Sequence, residues 1–153
     1  MDLILWRHAD AREAREGEVD GERPLTLKGE RQAARMAHWL NRQLPGSTRV
    51  LVCPTLRARQ TAEHLGMKVR ICPALAPGAS VDALLGASRW PDSREPVVVV
   101  GHQETLGLTA AYLLAGAVEP WALRKAGVWW LRHRDRDGTP TVVVHAVLSP
   151  DLL

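Results

Sequence analysis

Leu3-Ile4-Leu5-Trp6-Arg7-His8-Ala9-Asp10 opens as an unbroken apolar run of strand length and stops abruptly at a cation and an imidazole. A strand covered by helices on both faces has this composition, because a parallel sheet in an α/β fold leaves neither face to water. Two later stretches repeat the design: Val50-Leu51-Val52-Cys53-Pro54-Thr55-Leu56-Arg57 and Val97-Val98-Val99-Val100-Gly101-His102. Three apolar runs therefore each deliver a cation or an imidazole at the carboxyl end.

Helical patterns separate these runs. Thr26 is a helix N-cap, and Ala33, Ala37, Leu40 and Leu44 follow as one apolar stripe opposite Arg31, Arg35 and Arg42, with Pro45-Gly46 as the stop. Pro54-Thr55 opens a second helix running to about Leu65, with Gly66 at its end. That puts Arg57 in a first helical turn, where free N–H groups and the helix dipole already favour an anion. A short strand from Lys68 to Cys72, a short helix near Val81 to Leu85 and a helix beginning near Glu104 are expected next. Ala11 to Arg23 has no clean period and closes on Arg23-Pro24, which reads as a loop beside the site. At the end, Gly127 to Arg132 and Thr141 to Leu148 flank the turn sequence Asp135-Arg136-Asp137-Gly138. The expectation is one α/β domain over residues 1–153: a three-layer α/β/α sandwich with a mainly parallel central sheet and an antiparallel C-terminal edge.

Bulk properties narrow the function. The formal charge is only +3, acids and bases are mixed, and no basic run with interleaved aromatics would track a nucleic-acid backbone. The start, Met1 to Trp6, is acidic and too short for a signal peptide, and no apolar run approaches the roughly 20 residues of a membrane helix. A cytoplasmic protein with neither nucleic-acid nor membrane partners is expected. Its oligomeric state is open, and a monomer is compatible with the pattern. Cys53 and Cys72 fit two free thiols in such a compartment, a disulfide being the alternative. His38, His64, His133 and His145 match no metal spacing, and the six Trp, including Trp129-Trp130, read as packing residues.

Ligands of α/β sheets bind beyond the carboxyl ends of the strands, where Arg7, His8, Arg57 and His102 all fall. Two guanidinium groups and two imidazoles gathered there would repel one another unless an anion joined them, and a guanidinium fork matches phosphoryl oxygens. A neutral His8, held by a hydrogen bond on one nitrogen, could attack phosphorus with the other, while Arg7, Arg57 and His102 bind the oxygens. That chemistry calls for no metal and no cofactor. Asp10 and Arg23 are either substrate contacts or loop ion pairs, and Gln103, next to His102, is a further candidate substrate contact.

The ordered set Leu5-Trp6-Arg7-His8-Ala9-Asp10, Arg23-Pro24-Leu25-Thr26, Val50 to Pro54 running on through Leu56-Arg57-Ala58 to Gln60-Thr61, and Gly101-His102 resembles the histidine phosphatase (phosphoglycerate mutase-like) superfamily, in particular the small SixA-type phosphohistidine phosphatases. The resemblance implies that His8 accepts the phosphoryl group and that Arg7, Arg57 and His102 form its pocket. Two departures stand out: Ala9 replaces the family's usual Gly, and Cys53 stands where Ser is common. Larger relatives use a carboxylic acid to protonate an alcohol leaving group. No motif marks one here, with Asp10, Asp20, Glu22 and Glu104 the only candidates. A leaving imidazole needs that proton less than an alkoxide does, which favours phosphohistidine. The implied activity is a metal-independent phosphatase acting through phospho-His8 on a phosphohistidine-bearing protein. The alternatives are a small phosphomonoesterase for phosphoserine, nucleotide or sugar phosphates, and a non-catalytic phosphate-binding module, which would not need His8.

Overall fold

The computed structural model describes all 153 residues. Strand β1 (Asp2–Arg7) carries Leu3, Ile4, Leu5 and Trp6 with no exposure at all. It is followed by α1 (Leu27–Gln43), β2 (Arg49–Val52), α2 (Leu56–Glu63), β3 (Arg70–Ile71), α3 (Val81–Ser88), β4 (Val97–Gly101), α4 (Gln103–Ala115), β5 (Val128–Arg136) and β6 (Thr139–Leu148). The six strands form one sheet in the order β3-β2-β4-β1-β5-β6. The pairings β2–β3, β2–β4 and β1–β4 are parallel, and β1–β5 and β5–β6 are antiparallel, as the sequence pattern implies.

The order of the strands explains the layers. From β1 the chain steps across β4 to β2 and onward to β3, then turns back to β4. Right-handed crossovers require the helices of the outward steps and of the return step to lie on opposite faces. Accordingly α1 packs with α2, and α3 packs with α4. The centre of the sheet, β4, is buried along its whole length, and Leu40, Leu84, Leu106 and Val52 close the core around it. Trp6 lies in that core without an orphaned donor, because its indole N–H reaches Ala126 O at 3.0 Å.

Several boundaries differ from the sequence reading for local reasons. β3 is two residues long, not five, since it is an edge strand bearing cations and pairs only with β2. α2 stops at Glu63, ahead of the left-handed Gly66. β6 starts at Thr139 and tolerates Pro140, because an edge strand has one side with no ladder partner for the missing N–H. The tight turn at Asp137-Gly138 has both residues at positive φ, the geometry of a two-residue hairpin. The loop before α1 contains a short turn at Asp20–Glu22 and is tied down by an Ala11–Leu25 bridge. Cys53 and Cys72 are free thiols. No helix is long and apolar enough to cross a membrane.

Candidate active site

β2, β4 and β1 are neighbours in the sheet, so their carboxyl ends bring together residues far apart in sequence. Arg7 is the last residue of β1, and His8 follows it, its N–H bonded to Gly101 O at 3.0 Å across the β1–β4 seam. His102 is the N-cap of α4, directly after β4. Arg57 is the second residue of α2, just beyond β2, and only 4% of its surface is exposed. The His8 and His102 rings meet edge to face, with centroids 5.2 Å apart.

Each side chain is oriented by its neighbours. His8 Nδ1 lies 2.8 Å from Ala9 O, and a carbonyl can only accept, so the proton sits on Nδ1 and Nε2 keeps its lone pair. Arg7 Nη1 donates to Leu123 O at 2.7 Å. Arg57 donates through Nη1 to Asp20 O and through Nη2 to Asp20 Oδ2, at 2.9 and 3.1 Å. The Nε atoms of both arginines are buried without a partner. Two buried, unpaired guanidinium donors beside two imidazoles are what an anion would satisfy. His102 Nε2 lies 3.0 Å from Cys53 Sγ and 3.4 Å from Thr55 Oγ1.

The electrostatics suit a nucleophile. Burial, opposed by the Ala9 hydrogen bond and reinforced by the charges of His102, Arg57 and Arg7, pushes His8 down to about 3. Burial, and then Arg57, push His102 down to about 4. Both imidazoles are neutral at physiological pH, and an attacking imidazole must be.

The other expected contacts are placed differently. Asp10 turns its carboxylate away to Lys125 Nζ at 2.6 Å and Thr26 Oγ1 at 2.7 Å. The hydrogen bond from Lys125 is the main reason its carboxyl lies below the usual range. Gln103 has both ends of its amide engaged, donating to Trp121 O and accepting from Leu123 N, and so braces the segment on which Arg7 rests. Arg23 bonds Asp20 Oδ1 at 3.0 Å and Arg12 O at 2.9 Å, one step from Arg57. From the sequence, Asp20 is only a candidate acid. Its larger part here is to hold Arg57, and the hydrogen bond from Arg23 holds its carboxyl below the usual range. Thr61, to which the sequence pattern gives no role, accepts the Ala9 N–H at 3.0 Å and donates to Arg57 O, linking the two anion-facing segments. The Ala9 methyl is accommodated among Leu25, Ala33 and Ala126.

Residues 3–78 match the family model of the histidine phosphatase superfamily (branch 1). The chain is 34% identical over 129 residues to the phosphohistidine phosphatase SixA of Escherichia coli K12, covering 78% of each sequence. It is 37% identical over 142 residues to an uncharacterized protein of Picosynechococcus sp., covering 86% of this chain and 85% of the relative. The solved structure of the protein histidine phosphatase SixA complexed with tungstate superposes with a TM-score of 0.77 at 27% identity, over 99% of both chains. The strand ends that carry Arg7, His8 and Arg57 lie within the matched region, and the chain belongs to the histidine phosphatase superfamily, where it is a phosphatase of the SixA type.

Proposed function

We propose that this phosphatase works without a metal, by transfer of a phosphoryl group to His8 Nε2, and that its substrate is a phosphohistidine-bearing protein. The observation that carries this reading is the His8–Ala9 hydrogen bond, which leaves Nε2 free beside His102 and the two buried guanidinium groups. In the first step the substrate P–N bond breaks and a P–Nε2 bond forms on His8. The substrate imidazole leaves neutral, its other nitrogen carrying a proton. In the second step water attacks phospho-His8, giving inorganic phosphate and the neutral His8 imidazole. Arg7, Arg57 and His102 bind the equatorial oxygens in both steps and stabilise the charge on them.

The choice of phosphohistidine over an alcohol ester is supported by the carboxyl groups. None hydrogen-bonds to either imidazole, and Asp10 and Asp20 are both tied up with cations. A carboxyl held ionised by cations is a poor general acid, and an alkoxide needs one. Three experiments test the proposal. Rapid acid-free quench should trap acid-labile phosphate on the enzyme, absent in His8→Ala. Turnover should persist in EDTA; loss of activity with the chelator would sink metal independence. On a substrate panel, a phosphohistidine protein should be hydrolysed faster than phosphoserine, nucleotide or sugar phosphates.

A further inference from the structure

A groove of about 490 Å3, lined by no hydrophobic residue, lies where α1, the Arg124-Lys125 segment and the C-terminal turn meet. One wall is the face of α1 with Lys28, Arg31, Gln32 and Arg35, the other is Arg124 and Lys125, and the C-terminal turn with Asp151 forms the floor. Five cations line it; Arg124 pairs with Asp151 and Lys125 with Asp10, which leaves a local excess of three, as large as the net formal charge of +3 for the whole chain. Lys28, Arg31 and Arg35 are exposed and make no ion pair within the protein. Three like charges one turn apart on a helix destabilise it slightly, and no ion pair within the fold offsets them.

The walls of the groove are tied by hydrogen bonds to the segments that carry Arg7 and His8. Its α1 wall is held to the residues after His8 by Gln32 Oε1, which accepts the Asp10 N–H at 3.0 Å, and by Thr26, whose N–H donates to Asp10 O. Its second wall is the segment that supports the nucleophile: Leu123 O accepts from Arg7, Ala126 N donates to His8 O, and Lys125 pairs with Asp10. The same two segments thus shape the groove and hold Arg7 and His8. No aromatic side chain lines it, so a nucleic-acid base would find no stacking platform, whereas carboxylates would find the three unpaired cations Lys28, Arg31 and Arg35.

We propose that this groove docks an acidic face of the partner protein, rich in Asp and Glu, that carries the phosphoryl group to His8. The proposal rests on the phosphohistidine-protein reading above and adds to it the surface that selects the partner. Rim charges of this kind act mainly on association rate and are weakened by salt.

The test uses two 14-residue phosphohistidine peptides, identical except that one carries four Glu on one side of the phosphohistidine and the other four Gln. Wild type should turn over the Glu peptide with kcat/KM on the order of tenfold higher at low ionic strength. The preference should shrink as NaCl is raised. In the triple variant Lys28→Gln/Arg31→Gln/Arg35→Gln, on an exposed helix face, it should fall to within about twofold, while hydrolysis of free phosphoramidate stays at the wild-type rate. Equal use of the two peptides by wild type, or an undiminished preference in the variant, overturns the docking proposal. Fluorescence anisotropy with the unphosphorylated Glu peptide reads binding without catalysis. If phosphopeptides and phosphoramidate are all inert, the catalytic reading fails and anisotropy alone decides the groove. Binding lost in the triple variant supports it; absent binding, or tighter α1-dependent binding of a 12-mer of thymidylate, overturns it.

Discussion

His8 and His102 share one small buried space with two guanidinium groups, and their neutrality is a property of that space. In a proton NMR titration, the imidazole Cε1–H signals assigned through His8→Asn and His102→Asn should therefore not move between about pH 8 and pH 5. A midpoint near 6.5 for either would overturn the assignment of a buried neutral nucleophile. The Cys53 thiol, fully buried and 3.0 Å from His102 Nε2, is a positioning group that fixes the ring. Cys53→Ala should lower kcat/KM about tenfold, the worth of one hydrogen bond, and Cys53→Ser should restore it to within about twofold. Failure of Ser to rescue would mean that Cys53 only fills space. The gathering of Arg7, His8, Arg57 and His102 at one edge of the sheet could be read from sequence because each follows an apolar run. Asp20 and Gln103 could not be assigned their bracing parts, because their partners lie 37 and 20 residues away and no local pattern encodes that approach.

At the scale of elements, two helices reach the site through glycines that have no room for a side chain. A Cβ on Gly29 in α1 would lie 2.0 Å from Asp10 O, and one on Gly107 in α4 would lie 1.9 Å from Trp121 O. Gly107→Ala should push α4 off the segment that supports Arg7, costing about 2–3 kcal/mol in urea unfolding and lowering kcat as well. Gly86→Ala in α3 meets nothing within 4 Å, and should leave activity unchanged and stabilise by up to about 1 kcal/mol. Equal effects of the two substitutions would mean that helix propensity, not the close approach, governs both. Periodicity and capping made the elements themselves readable, Thr26 being the N-cap with its hydroxyl accepting from Gly29 N at 2.9 Å. The short β3 and the early start of β6 escaped because both are edge strands, where pairing on one side decides the boundary and the residue pattern does not.

For the whole molecule, the two depressed imidazoles link folding to pH. An unfolded chain regains ordinary histidines near 6.5, whereas the folded chain holds His8 near 3 and His102 near 4. Between those values the unfolded state binds more protons, so stability is full above about pH 6.5 and declines as the pH falls toward 4 and then 3. The double variant His8→Asn/His102→Asn should lose distinctly less stability than wild type between pH 7 and pH 5 in urea titrations. A bound oxyanion has the opposite effect on the imidazoles, since a negative charge beside them favours their protonated forms. Inorganic phosphate, the product of the proposed reaction, at 100 times its dissociation constant should stabilise wild type by about 2.7 kcal/mol by mass action. Because binding then takes up protons, its affinity should rise at pH 5, and the acid-induced loss should shrink in its presence. An acid loss of the same size in the double variant, or one indifferent to phosphate, would place the pH sensitivity elsewhere than in the pocket at the ends of β1 and β4.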